Sequence, residues 1–153
     1  MASADDSFLR DEYLKLQDQY EDYDRRALQI KGWLAATSIT GFALGTDPSK
    51  GVGSFTFVAI ALMALCFWYL EATWKTFQYA IAERIRTIEI YFQNGGSPPM
   101  PFQIYHAWFH SYSKNRRRQA IILWKAGRQP FVHLPYSLII FLCLILLVHS
   151  CSR

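Results

Sequence analysis

Residues 8–34 read FLRDEYLKLQDQYEDYDRRALQIKGWL. Leu9, Tyr13, Leu16, Tyr20, Tyr23, Ala27, Ile30 and Leu34 recur at alternating steps of four and three, with charged and amide side chains filling the other faces. With 3.6 residues to a turn, that spacing keeps one side of an α-helix apolar along its length. No proline or glycine interrupts residues 8–31, and the stripe leads straight into Gly32–Thr46 (GWLAATSITGFALGT). The pattern returns at Leu70, Trp74, Phe77, Ile81, Ile85, Ile88 and Phe92, and Asn94-Gly95-Gly96-Ser97-Pro98-Pro99 stops it. Residues 8–45 and 53–93 are therefore expected to form two long helices, each about 60 Å at the standard rise. Burial of stripe against stripe would pair them as an antiparallel hairpin.

Part of this hairpin is apolar enough for lipid. A bilayer core takes about 20 apolar helical residues. Gly51–Leu70 (GVGSFTFVAIALMALCFWYL) meets that requirement without a charge, and Leu134–Val148 (LPYSLIIFLCLILLV) is the most hydrophobic block in the chain. Pro135 is expected in the first turn of that last helix, where the missing amide costs nothing. Gly32–Thr46 is shorter and carries Thr37, Ser38 and Thr40, so it stands either as a short span or as a re-entrant segment. The expected organisation is one membrane domain over 1–153: an amphipathic helix 8–31, spans at 32–46, 51–70 and 134–150, a second amphipathic helix 71–93, and a basic aromatic connector 94–133. The fold class is an all-α integral membrane protein, a long helical hairpin extending into the cytoplasm plus a C-terminal transmembrane helix. Trp33, Trp68, Tyr69 and Tyr136 fall where interfacial aromatic belts are expected.

Charge orients this arrangement. Overall 52% of residues are apolar, 16% aromatic and 18% charged, with a net charge of +4. The charges are segregated: residues 1–31 hold eight acids and five bases, whereas residues 94–133 hold six bases and no acid. Arg25, Arg26 and Lys31 precede the first span, and Lys75, Arg84, Arg86 and the stretch 114–128 follow the second. The positive-inside rule thus places the N-terminus and residues 71–133 in the cytoplasm and the C-terminus outside. The acidic start, MASADDSFLRDEY, does not read as a signal peptide. Across the hairpin, Asp18, Glu21 and Asp22 are expected to face Lys75, Arg84 and Arg86 as exposed pairs. Such pairs set register more than stability. Glu71 and Lys75 have the spacing of a helical ion pair.

Several residues are candidates for function. Thr37, Ser38, Thr40, Gly41 and Gly45 are small or hydroxylated, and Gly41-x-x-x-Gly45 has the spacing of close helix packing. They either pack helices or line a pore. Leu9, Tyr13, Leu16, Tyr20, Tyr23, Trp74, Phe77, Ile81 and Ile88 form the seam, which is either the core of the hairpin alone or also an oligomer contact, tyrosine being suited to partly wet interfaces. Lys114, Arg116, Arg117, Arg118, Lys125 and Arg128, interleaved with Phe102, Tyr105, Trp108, Phe109, Tyr112 and Trp124, read as an interfacial helix pair whose bases meet anionic lipid headgroups. Nucleic acid or an acidic partner protein remain alternatives for this stretch. His106 and His110 lie one turn apart without a third ligand, and Cys66, Cys143 and Cys151 make no metal or disulfide pattern. No nucleophile elbow, P-loop or HExxH motif is present, so neither catalysis nor a cofactor or metal is expected.

The layout of residues 8–93, ending in FWYLEATWKTFQYAIAERIRTIEIYF (67–92), resembles small bacterial anti-phage membrane proteins. These are the SLATT-type two-span effectors and the membrane accessory protein of type VI-B CRISPR loci, a pore-former with a degenerate HEPN motif. Arg128 and His133 have that motif's R-x4-H spacing, with Pro130 between them. The resemblance implies a homo-oligomeric pore or membrane-perturbing effector that acts on the bacterial inner membrane when infection is sensed. Membrane lipids and a cytoplasmic activating protein are the candidate partners. The alternative is a non-conducting scaffold that recruits a partner through the amphipathic hairpin.

Overall fold

The computed structural model describes residues 4–47, 53–113 and 116–151. Five helices account for most of them: α1 (Ala4–Gly45), α2 (Gly53–Asn94), α3 (Ile104–Ser113), α4 (Arg116–Gly127) and α5 (Pro130–Cys151). No strand occurs among the described residues. α1 and α2 each run 42 residues, as the uninterrupted stripes require. At the end of α2 the Gly95 amide donates to the Tyr91 carbonyl at 2.9 Å, with Gly95 at φ 70°. That is the left-handed closure for which glycine is favoured.

The chain divides into two compact units, and α1 and α2 contribute to both. The first contains residues 1–25 and 74–123. Leu9 and Leu16 of α1 and Ile81 and Ile88 of α2 form its buried core, with Tyr13, Tyr23, Ile85, Tyr91, Ile104 and Trp108 packed around them. Here the two helix segments run in opposite directions. The Tyr91 hydroxyl donates to Asp6 at 2.9 Å, Gln78 donates to the Tyr20 carbonyl at 2.9 Å, and Lys75 meets Asp24 at 3.0 Å. α3 lays Trp108 on Phe77, ring centres 5.8 Å apart. The stripe on α2 drifts, so that Phe92 is exposed and Tyr91 takes the inward position.

The second unit contains residues 26–73 and 124–153. The α1 stripe persists there through Ile30, Leu34, Ser38 and Gly41, all buried. Leu34, Ala64 and Tyr136 form one core cluster, and Phe57, Ile60 and Cys143 another, so α1, α2 and α5 all pack together. A β-carbon on Gly41 would collide with Ile60, and one on Gly45 would meet Phe57 Cε1 at 2.7 Å. One on Gly53 would lie 2.5 Å from the Gly45 carbonyl oxygen. Close approach of α1 to α2 therefore depends on these glycines.

Two helices, α2 and α5, are long and apolar enough to cross a membrane, and only 17% of the apolar window of each is buried. Their large apolar side chains point outward, including Phe55, Leu62 and Leu65 on α2 and Leu138, Phe141 and Val148 on α5. A core helix of a water-soluble protein would bury them. α1 does not join these two, since its second half is short and hydroxylated.

The stretch 94–133 is largely helical. It holds α3 and α4, and α5 begins at Pro130 rather than near Leu134. The Gln129 carbonyl accepts the first amides of α5, from Val132 at 2.9 Å and His133 at 3.0 Å, so Pro130 occupies the first helical position. Pro135 therefore lies inside the helix, not in its first turn.

Gly41→Leu should force α1 and α2 apart and cost about 1–3 kcal/mol, the usual penalty for overpacking. Gly32→Leu has open space and removes a glycine from a helix interior, so the melting temperature in detergent should stay at or a few degrees above wild type.

Candidate functional site

Among the described residues of the second unit one charged side chain is buried, Glu71 of α2, only 2% exposed. A carboxylate removed from water must be matched by charge and hydrogen bonds or it destabilises the fold. Lys31 of α1 places Nζ 2.7 Å from Glu71 Oε1, and the Tyr136 hydroxyl of α5 donates to Oε2 at 2.6 Å. Lys31 also donates to the Phe131 carbonyl at 2.9 Å. That carbonyl is available because Pro135, four residues on, has no amide to give it. An internal proline, a lysine, a carboxylate and a phenol thus join three helices at one height. One turn away, Trp68 donates its indole N–H to the Gly127 carbonyl at 2.9 Å, which ties the end of α4 to α2.

These bonds revise two expectations. Glu71 turns to Lys31 and Tyr136, while Lys75 reaches Asp24. Tyr136 is not an interfacial belt residue but fully buried, with a specific acceptor. Trp33 and Tyr69 are exposed, as a belt needs.

The first unit has a matching ionic clamp. Arg84 holds Glu12 through Nε to Oε1 at 2.8 Å and Nη2 to Oε2 at 3.2 Å. Nη2 also donates to the Met100 carbonyl at 2.8 Å, and the Phe102 amide donates to Glu12 Oε2 at 2.9 Å. The segment after α2 is thereby pinned back onto both helices. Phe102 sits at φ 61°, a conformation bulky residues rarely adopt, held by that amide bond and by its ring against Phe8 at 5.3 Å. Arg84 therefore pairs with Glu12 rather than with Asp18, Glu21 or Asp22, and the pair is buried rather than exposed. Glu12 adjoins the apolar stripe on α1, whereas Asp18 and Glu21 lie on its outer face.

The small and hydroxylated candidates separate by face. Ser38, Gly41 and Gly45 turn toward the protein, the first two fully buried. Thr37 and Thr40 are exposed and return their hydroxyls to their own helix, Thr37 to the Trp33 carbonyl at 2.8 Å and Thr40 to the Ala36 carbonyl at 3.1 Å. Of the seam, Leu9, Leu16, Ile81 and Ile88 are buried, while Tyr13, Tyr20, Tyr23, Trp74 and Phe77 are half-buried. Tyr13 and Tyr20 line a groove of about 290 Å³ with Gln17, Ala82, Ile85, Arg86 and Glu89. The Tyr13 phenol donates to Glu89 at 3.1 Å, and that bond holds its pKa above the ordinary value.

Of the basic candidates, Lys125 and Arg128 are exposed, with the Arg128 guanidinium 5.5 Å above the Trp124 ring. Lys114 and the side chains of Arg116, Arg117 and Arg118 lie outside the described residues. His106 and His110 stack at 6.3 Å, and among the described residues no group of three or more His, Cys, Asp or Glu is placed to hold a metal. His133 turns its Nδ1 to the Gln129 carbonyl at 3.1 Å while Arg128 lies over Trp124, so the structure shows no contact joining the R-x4-H pair. Compared with known families, curated proteins and solved structures, the chain matches none.

Lys31→Met strands the Glu71 carboxylate and should cost about 3–5 kcal/mol in detergent unfolding, whereas Lys31→Met with Glu71→Leu should recover most of that loss. In the other unit the Tyr13–Glu89 bond has a raised phenol pKa in the folded chain. It contributes at neutral pH and up to the ordinary phenol range, and is lost only as pH rises through the folded value. Difference ultraviolet titration of wild type against Tyr13→Phe should show that phenol ionising above the ordinary tyrosine range, and Glu89→Gln should lower its midpoint.

Proposed function

We propose that the chain is a homo-oligomeric effector of the bacterial inner membrane, which forms a pore or perturbs the bilayer in defence against phage. The observation that carries the reading is the difference between the three outward faces of the second unit. α2 and α5 present large apolar side chains, suited to lipid tails. α1 presents Gly32, Ala36, Thr37, Thr40 and Ala43, all exposed, interleaved with exposed Trp33, Ile39 and Leu44. The small and hydroxylated side chains in this mixed face gain little from lipid and leave room for another helix or water. A second copy of α1 satisfies the first need, and a ring of copies the second.

Dimensions support membrane insertion. From Ser54, which meets Ser150 at 3.1 Å, to Glu71, α2 rises about 26 Å, close to a bilayer core. The proposed orientation puts the Lys31–Glu71 level at the cytoplasmic boundary and the 46–52 turn outside. The same orientation assigns the first unit, with its buried ionic clamp, to the cytoplasm. The role in defence rests on the resemblance of layout.

A non-conducting scaffold is the second reading, favoured by the Tyr13–Tyr20 groove, which offers a cytoplasmic activating protein a mixed polar and apolar surface. A potential-sensitive dye separates the two. Expression of the pore-former should depolarise cells, Thr40→Leu should blunt the effect by several-fold, and a scaffold should leave the potential unchanged. The mass of the particle in nanodiscs checks assembly directly, and a monomer would remove the pore.

A further inference from the structure

We propose that the corner between α4 and α5, formed by Trp124, Lys125 and Arg128, binds the headgroup of an anionic phospholipid of the cytoplasmic leaflet. The proposal rests on the membrane reading above and names the lipid class recognised at this edge. Trp124 and Arg128 are four residues apart and Lys125 and Arg128 three apart, so all three share one side of the end of α4. The Arg128 guanidinium lies over the Trp124 ring, which is 64% exposed. Stacking on an indole fixes the plane of the fork and leaves its N–H edges free for a phosphate, while Lys125 adds a second cation.

The corner is held in place. Gly127, between the two bases, is buried, its carbonyl taken by Trp68, and a β-carbon there would lie 3.6 Å from Ala72. Immediately after it, exposed Phe131 and Leu134 begin the outward apolar face of α5. The bases thus sit at the edge of the surface assigned to lipid tails, where phosphates lie.

Charge complementarity selects an anionic lipid over a zwitterionic one. The second unit contains two acids, Glu71 and Asp47. Glu71 is buried against Lys31, and Asp47 lies past the end of α1, more than about 20 Å along that helix from Lys31. Nothing acidic within the unit competes for Lys125 and Arg128. Two such bases should enrich phosphatidylglycerol over phosphatidylcholine at this corner on the order of tenfold.

The test uses the full chain in phosphatidylcholine nanodiscs with a minority of lipid brominated in its acyl chains, either phosphatidylglycerol or phosphatidylcholine. Quenching assigned to Trp124, by difference from Trp124→Phe, should be several-fold greater with brominated phosphatidylglycerol. Lys125→Gln with Arg128→Gln should abolish the excess while leaving the melting temperature unchanged. Free glycerophosphate should not displace the lipid. Equal quenching by both lipids overturns the proposal, as does an excess that survives the double substitution. A change in Trp124 fluorescence caused by single-stranded RNA in plain phosphatidylcholine discs, with no lipid preference, overturns it in favour of nucleic acid. Failure of the protein to float with the discs removes the membrane reading, and this site with it; flotation with equal quenching removes the site alone.

Discussion

A carboxylate withdrawn from water demands a partner for each oxygen, and Glu71 has one on each: Lys31 from α1 and Tyr136 from α5. Hydrophobic faces alone do not fix the height of one helix against another. A stripe of leucine, isoleucine and phenylalanine shifted by a turn still buries similar area, whereas a shifted Glu71 would lose both bonds and remain buried. Directional bonds of this kind contribute less to net stability than to choosing one register among several. Pro135 belongs to the same device, since the amide it lacks leaves the Phe131 carbonyl for Lys31. The Glu12–Arg84 pair performs the corresponding task in the first unit, where it also holds the segment after α2.

The helices were legible because their punctuation is strong. Long stretches without proline, ending at Gly45 and at Asn94-Gly95-Gly96, bound two helices to within a few residues, and the glycines take the positive φ values that end α2. The start of α5 was not legible, because Pro130 and Pro135 satisfy the first-turn rule equally well. Only the capping by the Gln129 carbonyl decides between them. The bounds of α3 and α4 were obscured by composition, their aromatic and basic residues suggesting an interfacial helix pair without marking where either helix ends.

The partners of Glu71 were hidden for a different reason. Local spacing offers Lys75, one turn away, but the bonds formed reach 40 residues back and 65 forward. No periodicity reports contacts between helices at such separations. By contrast, the division among Thr37, Ser38, Thr40, Gly41 and Gly45 was present in the pattern. Stepping on from Leu34 by four, three and four gives Ser38, Gly41 and Gly45, the inward residues, and leaves both threonines outside. Following the stripe past the point where charges end would have separated packing residues from exposed ones.

That stripe leaves α1 with an unusual cross-section in the second unit. On its inner side Gly41 and Gly45 admit Ile60 and Phe57 of α2 to a distance that any β-carbon would prevent. On its outer side Gly32, Ala36, Thr40 and Ala43 form a narrow stripe of small side chains, spaced four, four and three, between exposed Ile39 and Trp33. A helix that meets one neighbour and then lipid needs small residues on one face only, and α2 and α5 keep bulky side chains outward. Gly32 costs helix stability wherever it is not needed for approach, roughly 1 kcal/mol against alanine. A stripe of small residues turned away from α2 and α5 has its physical use if a further helix approaches from that side. The proposed pairing of α1 with a second copy of itself would supply such a helix.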